Sequence, residues 1–260
     1  MSSLLKVNAG NRKIYRIIIN ASRKNNQRIS DLISISGKKN IPVDLISPAD
    51  FLKLSEEITG SNSNIYEDSI ISQGVLALVS DYNYSDLEAD LGNGLFNSRD
   101  SIIVIMDEIT DVGNFGAILR NCSAFGADGV IISKHRSAEA GSRVSRISSG
   151  ALEEIKIYRV TNIVTAINKL KENGFWIYGT TLDSGKQIVS ADSADYAFPL
   201  AIVLGSEQKG MGKLISENCD ILVKITMSGK MQSLNVSTSS GIFLYILNSY
   251  RNKKCGRGSK

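Results

Sequence analysis

The chain has 260 residues, 42% apolar and 22% charged, with a formal net charge of +4. That composition supports a sizeable core in one large domain or two ordinary ones, and excludes global disorder. No window holds the ~18 consecutive apolar residues of a membrane span, MSSLLKVNAGNRK lacks a secretory apolar stretch, and Cys122, Cys219 and Cys255 form no CxxC, so the expectation is a reducing cytoplasm with no membrane, metal or disulfide framework.

In chain order, IYRIIIN (14–20) reads as a buried strand. NQRISDLISISGKKN (26–40) has Ile29, Leu32, Ile33 and Ile35 near helical spacing, with Gly37 as its stop. VDLIS (43–47) is a second strand, and Ser47-Pro48 opens a helix with Ser at the N-cap. GVLALVSDY (74–82) is a third strand. The polar, Gly/Asn-rich stretch 85–99 reads as a linker. Beyond it, SIIVIMDE (101–108) is a continuous apolar run, as in a central parallel strand. A helix over 116–125 and strands at 129–133, 156–160, 175–181, 200–206 and 221–226 follow, with another helix at 162–173. The last helix opens with Ser233, Asn235, Ser237, Thr238, Ser239 and Ser240 and ends in an apolar run. This alternation predicts an α/β fold with a parallel sheet covered on both faces.

Charge is unevenly placed. Residues 1–30 hold seven Lys or Arg and no acid, and the last ten hold five with no acid. Basic ends on an acidic body point to a polyanion partner, against the alternative of solvated, frayed termini.

Several chemistries are disfavoured. The chain has one histidine, His135, and no Gly-x-Ser-x-Gly turn, so a hydrolase triad has little to build on. There is no GxGxxG, and GSEQKGMG (205–212) places Met211 where a phosphate-binding Lys must stand. Three segments remain at the carboxyl ends of predicted strands, where ligands bind in open parallel sheets. DEITDVGNFGAILRNCSAFGADGV (107–130) offers a turn at Gly113 and Gly116, with Asn114 and Arg120 beside it. VLGSEQKGMG (203–212) runs a strand into a Gly-rich loop carrying Glu207. MSGKMQSLNVSTSSGIFLYIL (227–247) starts a helix whose cap is Ser233 or Asn235 and whose free N–H groups suit a ligand. Each alone also reads as an ordinary turn, loop or capped helix.

Together these segments resemble the SpoU, or TrmH, family of RNA ribose 2′-O-methyltransferases. NFGAILRNC (114–122), IVLGSEQKGMG (202–212) and ITMSGKMQSLNVSTSSGI (225–242) are similar to its three motifs, in order, and ISSGALEEIKIYRV (147–160) to the stretch between the first two. The sequence departs in having Thr226 for the usual Pro, and Ser239 and Ser240 for residues that are commonly Ala. The resemblance implies a SPOUT fold: a parallel-sheet methyltransferase domain over 100–252 with a trefoil knot, and a basic tail at 253–260. Residues 1–84 resemble the small L30e-like α/β domain that precedes it in members acting on large-subunit rRNA. SQGVLALVSDYNY (72–84) matches its closing segment, with Ser72 in place of His.

The implied cofactor is S-adenosylmethionine, held by Thr180, Gly205, Ile225, Leu234 and Asn235, with no metal. The implied catalytic residue is Arg120, surrounded by Asn114, Glu207, Asn235 and Ser237. The implied partners are RNA, a guanosine of 23S rRNA in particular, and a second copy of the chain through the methyltransferase domain. Arg12 and Lys13 in the basic N-terminal run, and Arg136 and Arg143 in the basic loop with Lys134, His135 and Arg146, are expected to contact RNA. A tRNA ribose methyltransferase, and a non-catalytic RNA-binding assembly factor on the same fold, are the alternatives.

Overall fold

The computed structural model describes residues 12–59, 69–72, 74–96, 100–182, 188–207 and 209–254. The basic stretch before residue 12 and the tail from 255, both expected to face a polyanion, lie outside the described residues, as does Cys255. The chain divides into two compact units, 1–83 with 139–154, and 84–138 with 155–260.

The first unit carries a four-stranded sheet of order β2-β1-β4-β3, from β1 (Ile14–Asn20), β2 (Val43–Ile46), β3 (Ser69–Ser72) and β4 (Val75–Val79). β1 pairs parallel with β2 and antiparallel with β4. Ile17, Ile19, Val75 and Ala77 form its core with Ile29 and Leu32 of helix α1 (Gln27–Lys38). Asn26 caps α1, accepting from Arg28 N at 3.0 Å. Gly37 lies inside the helix rather than ending it. The left-handed residue beyond is Asn40, at φ 53, a residue type that tolerates that region. Helix α2 (Pro48–Thr59) starts as expected, with Asp50 N–H donating to Ser47 Oγ at 3.2 Å. Strand β3 was not foreseen.

The second unit is built on a seven-stranded sheet of order β7-β6-β5-β10-β8-β11-β9. Its strands are β5 (Ile102–Met106), β6 (Gly129–Ser133), β7 (Lys156–Val160), β8 (Trp176–Thr180), β9 (Ile188–Ser190), β10 (Leu200–Leu204) and β11 (Ile221–Lys224). Every pairing in it is parallel, so all seven carboxyl ends share one edge. β5 and β10 are buried along their whole length, which explains their unbroken apolar runs.

Helices cover the sheet. The stretch read as a linker carries α3 (Leu87–Gly92). Leu87 and Phe96 are buried there, and Phe96 meets Tyr158 and Phe175 edge-on at 6.1 and 6.0 Å between ring centroids. Its overall polarity hid the spacing of Leu87, Leu91 and Phe96, so residues 85–96 belong to the second unit's core.

Helix α4 (Val112–Phe125) begins four residues earlier than expected. Asp111 caps it, taking Asn114 N–H at 2.7 Å, so Gly113 and Gly116 lie within the helix and not in a turn. Helix α5 (Ser142–Ile147) belongs to the first unit. The basic loop expected over 134–146 is therefore divided, with Arg136 in the second unit and Arg143 in the first. Helices α6 (Ile163–Glu172), α7 (Lys213–Glu217) and α8 (Val236–Lys254) complete the second unit.

Candidate active site

A cleft of about 360 Å³ opens at the carboxyl ends of the neighbouring strands β10, β8 and β11. Thr180 ends β8, Gly205 follows β10 and Ile225 follows β11; all three line the cleft, as do Leu234, Met227 and Phe243. The volume lies in the range of small-molecule sites. The Thr180 hydroxyl is held by a 2.9 Å bond to the Val203 carbonyl. Gly205 admits no side chain: a Cβ there would sit 2.3 Å from Gly210 C and Met211 N. The loop closes on itself there, with Ser206 and Gly210 exchanging main-chain bonds of 3.0 and 2.9 Å. This tight return, with Gly210 at φ 67, keeps the loop's inner wall free of bulk. Ile225, Met227 and Leu234 make no main-chain hydrogen bond among the described residues, so their peptide edges remain open to a ligand. A mixed apolar and peptide-lined cleft of this size fits S-adenosylmethionine, whose adenine needs both a flat apolar slot and main-chain partners.

At the cleft's mouth, three side chains from distant parts of the chain meet. Asn235 Nδ2 donates to Asn114 Oδ1 at 3.0 Å and to Glu207 Oε1. Val236 N–H donates to the same Glu207 oxygen at 3.3 Å, so the carboxylate sits at the positive start of α8. Asn235 also caps that helix, its Oδ1 accepting Ser237 N–H at 2.9 Å. The polar opening of α8 is thus divided among tasks. Asn235 and Ser237 join the network, Ser233 and Ser239 line the cleft, and Ser240 is fully buried against α4.

Two residues not foreseen hold this arrangement. Asn121 lies seven residues after Asn114, so both face α8. Its Nδ2 donates to Ser237 O and Ser240 Oγ, each at 2.8 Å. The i, i+7 spacing of the two asparagines was the available signal. Asp107, buried at the end of β5, accepts Gly212 N–H at 2.8 Å and so pins the far end of the Gly-rich loop. Burial pushes its carboxyl up from the usual range, against that hydrogen bond. Thr226, which replaces the expected Pro, is tied to Ser190 of β9 by a 2.6 Å hydroxyl contact.

Arg120 does not join the network. It is exposed, lies about 9 Å further along α4 than Asn114 and about a third of a turn round it, and its side chain makes no hydrogen bond among the described residues. Of the residues expected at RNA, Lys13 and Arg143 are exposed. Arg136 is exposed and paired with Glu108 at 2.8 Å, an ion pair that lowers the Glu108 pKa and raises that of Arg136. Arg12 is a correction. It is 4% exposed, its guanidinium stands 5.9 Å from the Tyr82 ring centroid, and its charge acts on buried Glu153. A buried guanidinium of this kind ties the first unit together and offers nothing to a phosphate. The thiol of Cys219, beside Met211, is pushed up to about 12 by burial, which makes it inert at neutral pH.

Known proteins are similar to this chain in sequence and fold. The profile of the SpoU rRNA Methylase family matches residues 101–245. A putative TrmH family tRNA/rRNA methyltransferase of Bacillus subtilis, YacO, is 32% identical over 96% of this chain and 94% of its own. The TrmH/SpoU tRNA modifying enzyme of A. aeolicus is 31% identical over 65% of this chain and 86% of that one, with a TM-score of 0.54. The SpoU methyltransferase AviRb of Streptomyces viridochromogenes, crystallised with AdoMet, shares the fold over 96% of this chain and 88% of its own, with a TM-score of 0.75 at 19% identity. With its three motifs meeting at one cleft, the chain belongs to the SpoU rRNA methylase family, the SpoU/TrmH family of RNA methyltransferases.

Proposed function

We propose that this RNA methyltransferase moves a methyl group from S-adenosylmethionine to a ribose 2′-hydroxyl of RNA, and that its target is a guanosine of 23S rRNA in the cytoplasm. The observation that carries the reading is the meeting of Asn114, Glu207 and Asn235 at the mouth of the cleft lined by Gly205, Ile225 and Leu234. S-adenosylmethionine would supply a methyl group on a positively charged sulfur, so that the thioether leaves neutral as the ribose oxygen takes the methyl group and gives up its proton to solvent. Thr180, Gly205, Ile225 and Leu234, which line the cleft, would hold that group. Glu207 fixes the Asn235 amide, and Asn114 braces it from α4. The three keep the substrate hydroxyl in line, which is where positioning contributes most.

The Arg120 guanidinium offers N–H donors and no acceptor, so it is no general base. Its exposure suits a grip on the phosphate beside the target ribose. Arg120→Ala is expected to abolish methyl transfer while S-adenosylmethionine affinity stays within a few-fold. Equal loss of both contradicts that role.

The same reading includes the trefoil knot, an L30e-like first unit that binds RNA through Lys13 and Arg143, an RNA contact at Arg136, and pairing of two copies through the second unit. Tyr245 on α8, 61% exposed, is an apolar ring that such a partner would cover. A tRNA substrate is the second reading, favoured by the likeness to the A. aeolicus tRNA modifying enzyme. Parallel assays on 23S rRNA and tRNA separate the two.

A further inference from the structure

A second cavity, of about 510 Å³, lies within the second unit where β7 ends and α6 begins. Tyr84, Ser85, Arg159, Thr161, Asn162 and Thr165 are among its walls. We propose that this cavity receives an unpaired nucleobase of the RNA substrate. The inference rests on the RNA reading above and adds to it a site apart from the methyl-donor cleft.

The walls are built in advance. Ser85 bridges to Tyr158 in the manner of an added parallel strand, with Ser85 N–H on the Ile157 carbonyl at 2.9 Å. That pins Tyr84 to the sheet edge. The Arg159 guanidinium lies over the Tyr84 ring, 5.3 Å from its centroid, and is held by a 3.3 Å bond to the Lys134 carbonyl. An aromatic ring and a guanidinium plane are the two side-chain surfaces on which bases stack. Asn162, Thr161, Thr165 and Ser85 supply donors and acceptors for a base edge.

Charge separates a base from a phosphate here. The cavity's walls carry two acids, Asp86 and Glu88, against two cations, Arg159 and Lys169. Glu88 is paired with Lys169, and Asp86 caps α3 through Glu88 N at 2.9 Å and Ala89 N at 3.1 Å. A phosphate trap needs surplus positive charge; a balanced cavity suits a neutral planar group. Placement agrees. β7 and β10 present carboxyl ends on the same edge, three strands apart, about 14 Å. A single-stranded stretch of the about 4–16 nucleotides that such surfaces accommodate reaches both.

The test uses fluorescein-labelled single-stranded dodecamers of uridine or adenosine and a duplex of equal length, with binding read by anisotropy against salt. Tyr84→Ala is expected to weaken single-strand binding about tenfold, with the salt slope unchanged and duplex binding unaffected. Tyr84→Phe is expected to stay within twofold. Wild-type affinity in Tyr84→Ala, a loss matched by a shallower salt slope, or an equal loss on the duplex overturns the proposal. Ultraviolet crosslinking of the uridine dodecamer to the unaltered protein avoids any folding defect. Crosslinked peptides spanning 84–88 or 159–165 support the site, and crosslinks confined elsewhere contradict it. Calorimetric titration with S-adenosylmethionine, expected to match wild type in both variants, tests the methyl-donor reading independently.

Discussion

The two cavities on one edge of the sheet are made of different matter. The cleft at β10, β8 and β11 is walled by peptide groups, small side chains and apolar residues, with its polar network at the mouth. The cavity at β7 is walled by an aromatic ring, a guanidinium and balanced charges. The first is suited to gripping a small molecule by its shape and peptide edges, the second to stacking a base. A parallel sheet thus offers several sites along its carboxyl edge, and local side chains decide what each one takes.

Gly205→Val separates them most strongly. Its Cβ would meet main chain at 2.3 Å, so the loop must move. S-adenosylmethionine affinity should fall about a hundredfold, roughly 3 kcal/mol, while dodecamer binding is unchanged. Loss of both in calorimetry and anisotropy would mean that the two cavities are not independent.

Asn121→Ala acts on the cleft side. It removes two hydrogen bonds to the start of α8, a loss of about 1–3 kcal/mol. Thermal unfolding should shift down by several degrees, and methyl transfer should fall more than cofactor affinity. An unchanged melting temperature would show that Asn121 does not hold α8.

The smallest effect is a control outside both cavities. Burial raises the Glu153 pKa despite the Arg12 charge. Between its ordinary value of 4.5 and the raised folded value, the folded state binds more protons than the unfolded one. Stability from this group therefore falls as pH rises through that window and is level above it. In melting curves taken from pH 4 upward, Glu153→Gln should remove that decline and leave both cavities as they are. A wild-type contribution that rises with pH would reverse the assignment.

Much of the sheet was legible because buried parallel strands write themselves as apolar runs. β5, β6 and β10 are found where IIVIM, GVIIS and LAIVL stand. Long-range pairing was not legible. Nothing local shows that the Arg12 charge acts on Glu153, or that Asp107 meets Gly212, since each pair is brought together only by the fold. The linker reading failed because three apolar residues in a polar stretch pack against β7, which average polarity conceals. The helix start at Asp111 was hidden by Gly113 and Gly116, which mimic a turn. Asn114, Glu207, Asn235 and Ser237 were marked by their motifs, and hydrogen bonds join them in the fold. Arg120 was marked too, yet stands apart from them.

The central claim is methyl transfer to ribose at the mouth of the β10–β8–β11 cleft. Its most direct test is incubation of the protein and tritiated S-adenosylmethionine with 23S rRNA, followed by nuclease mapping of the labelled nucleotide. The account predicts label on one ribose 2′-oxygen, abolished by Asn235→Ala. Label on a base, or transfer that persists undiminished in that variant, would contradict it.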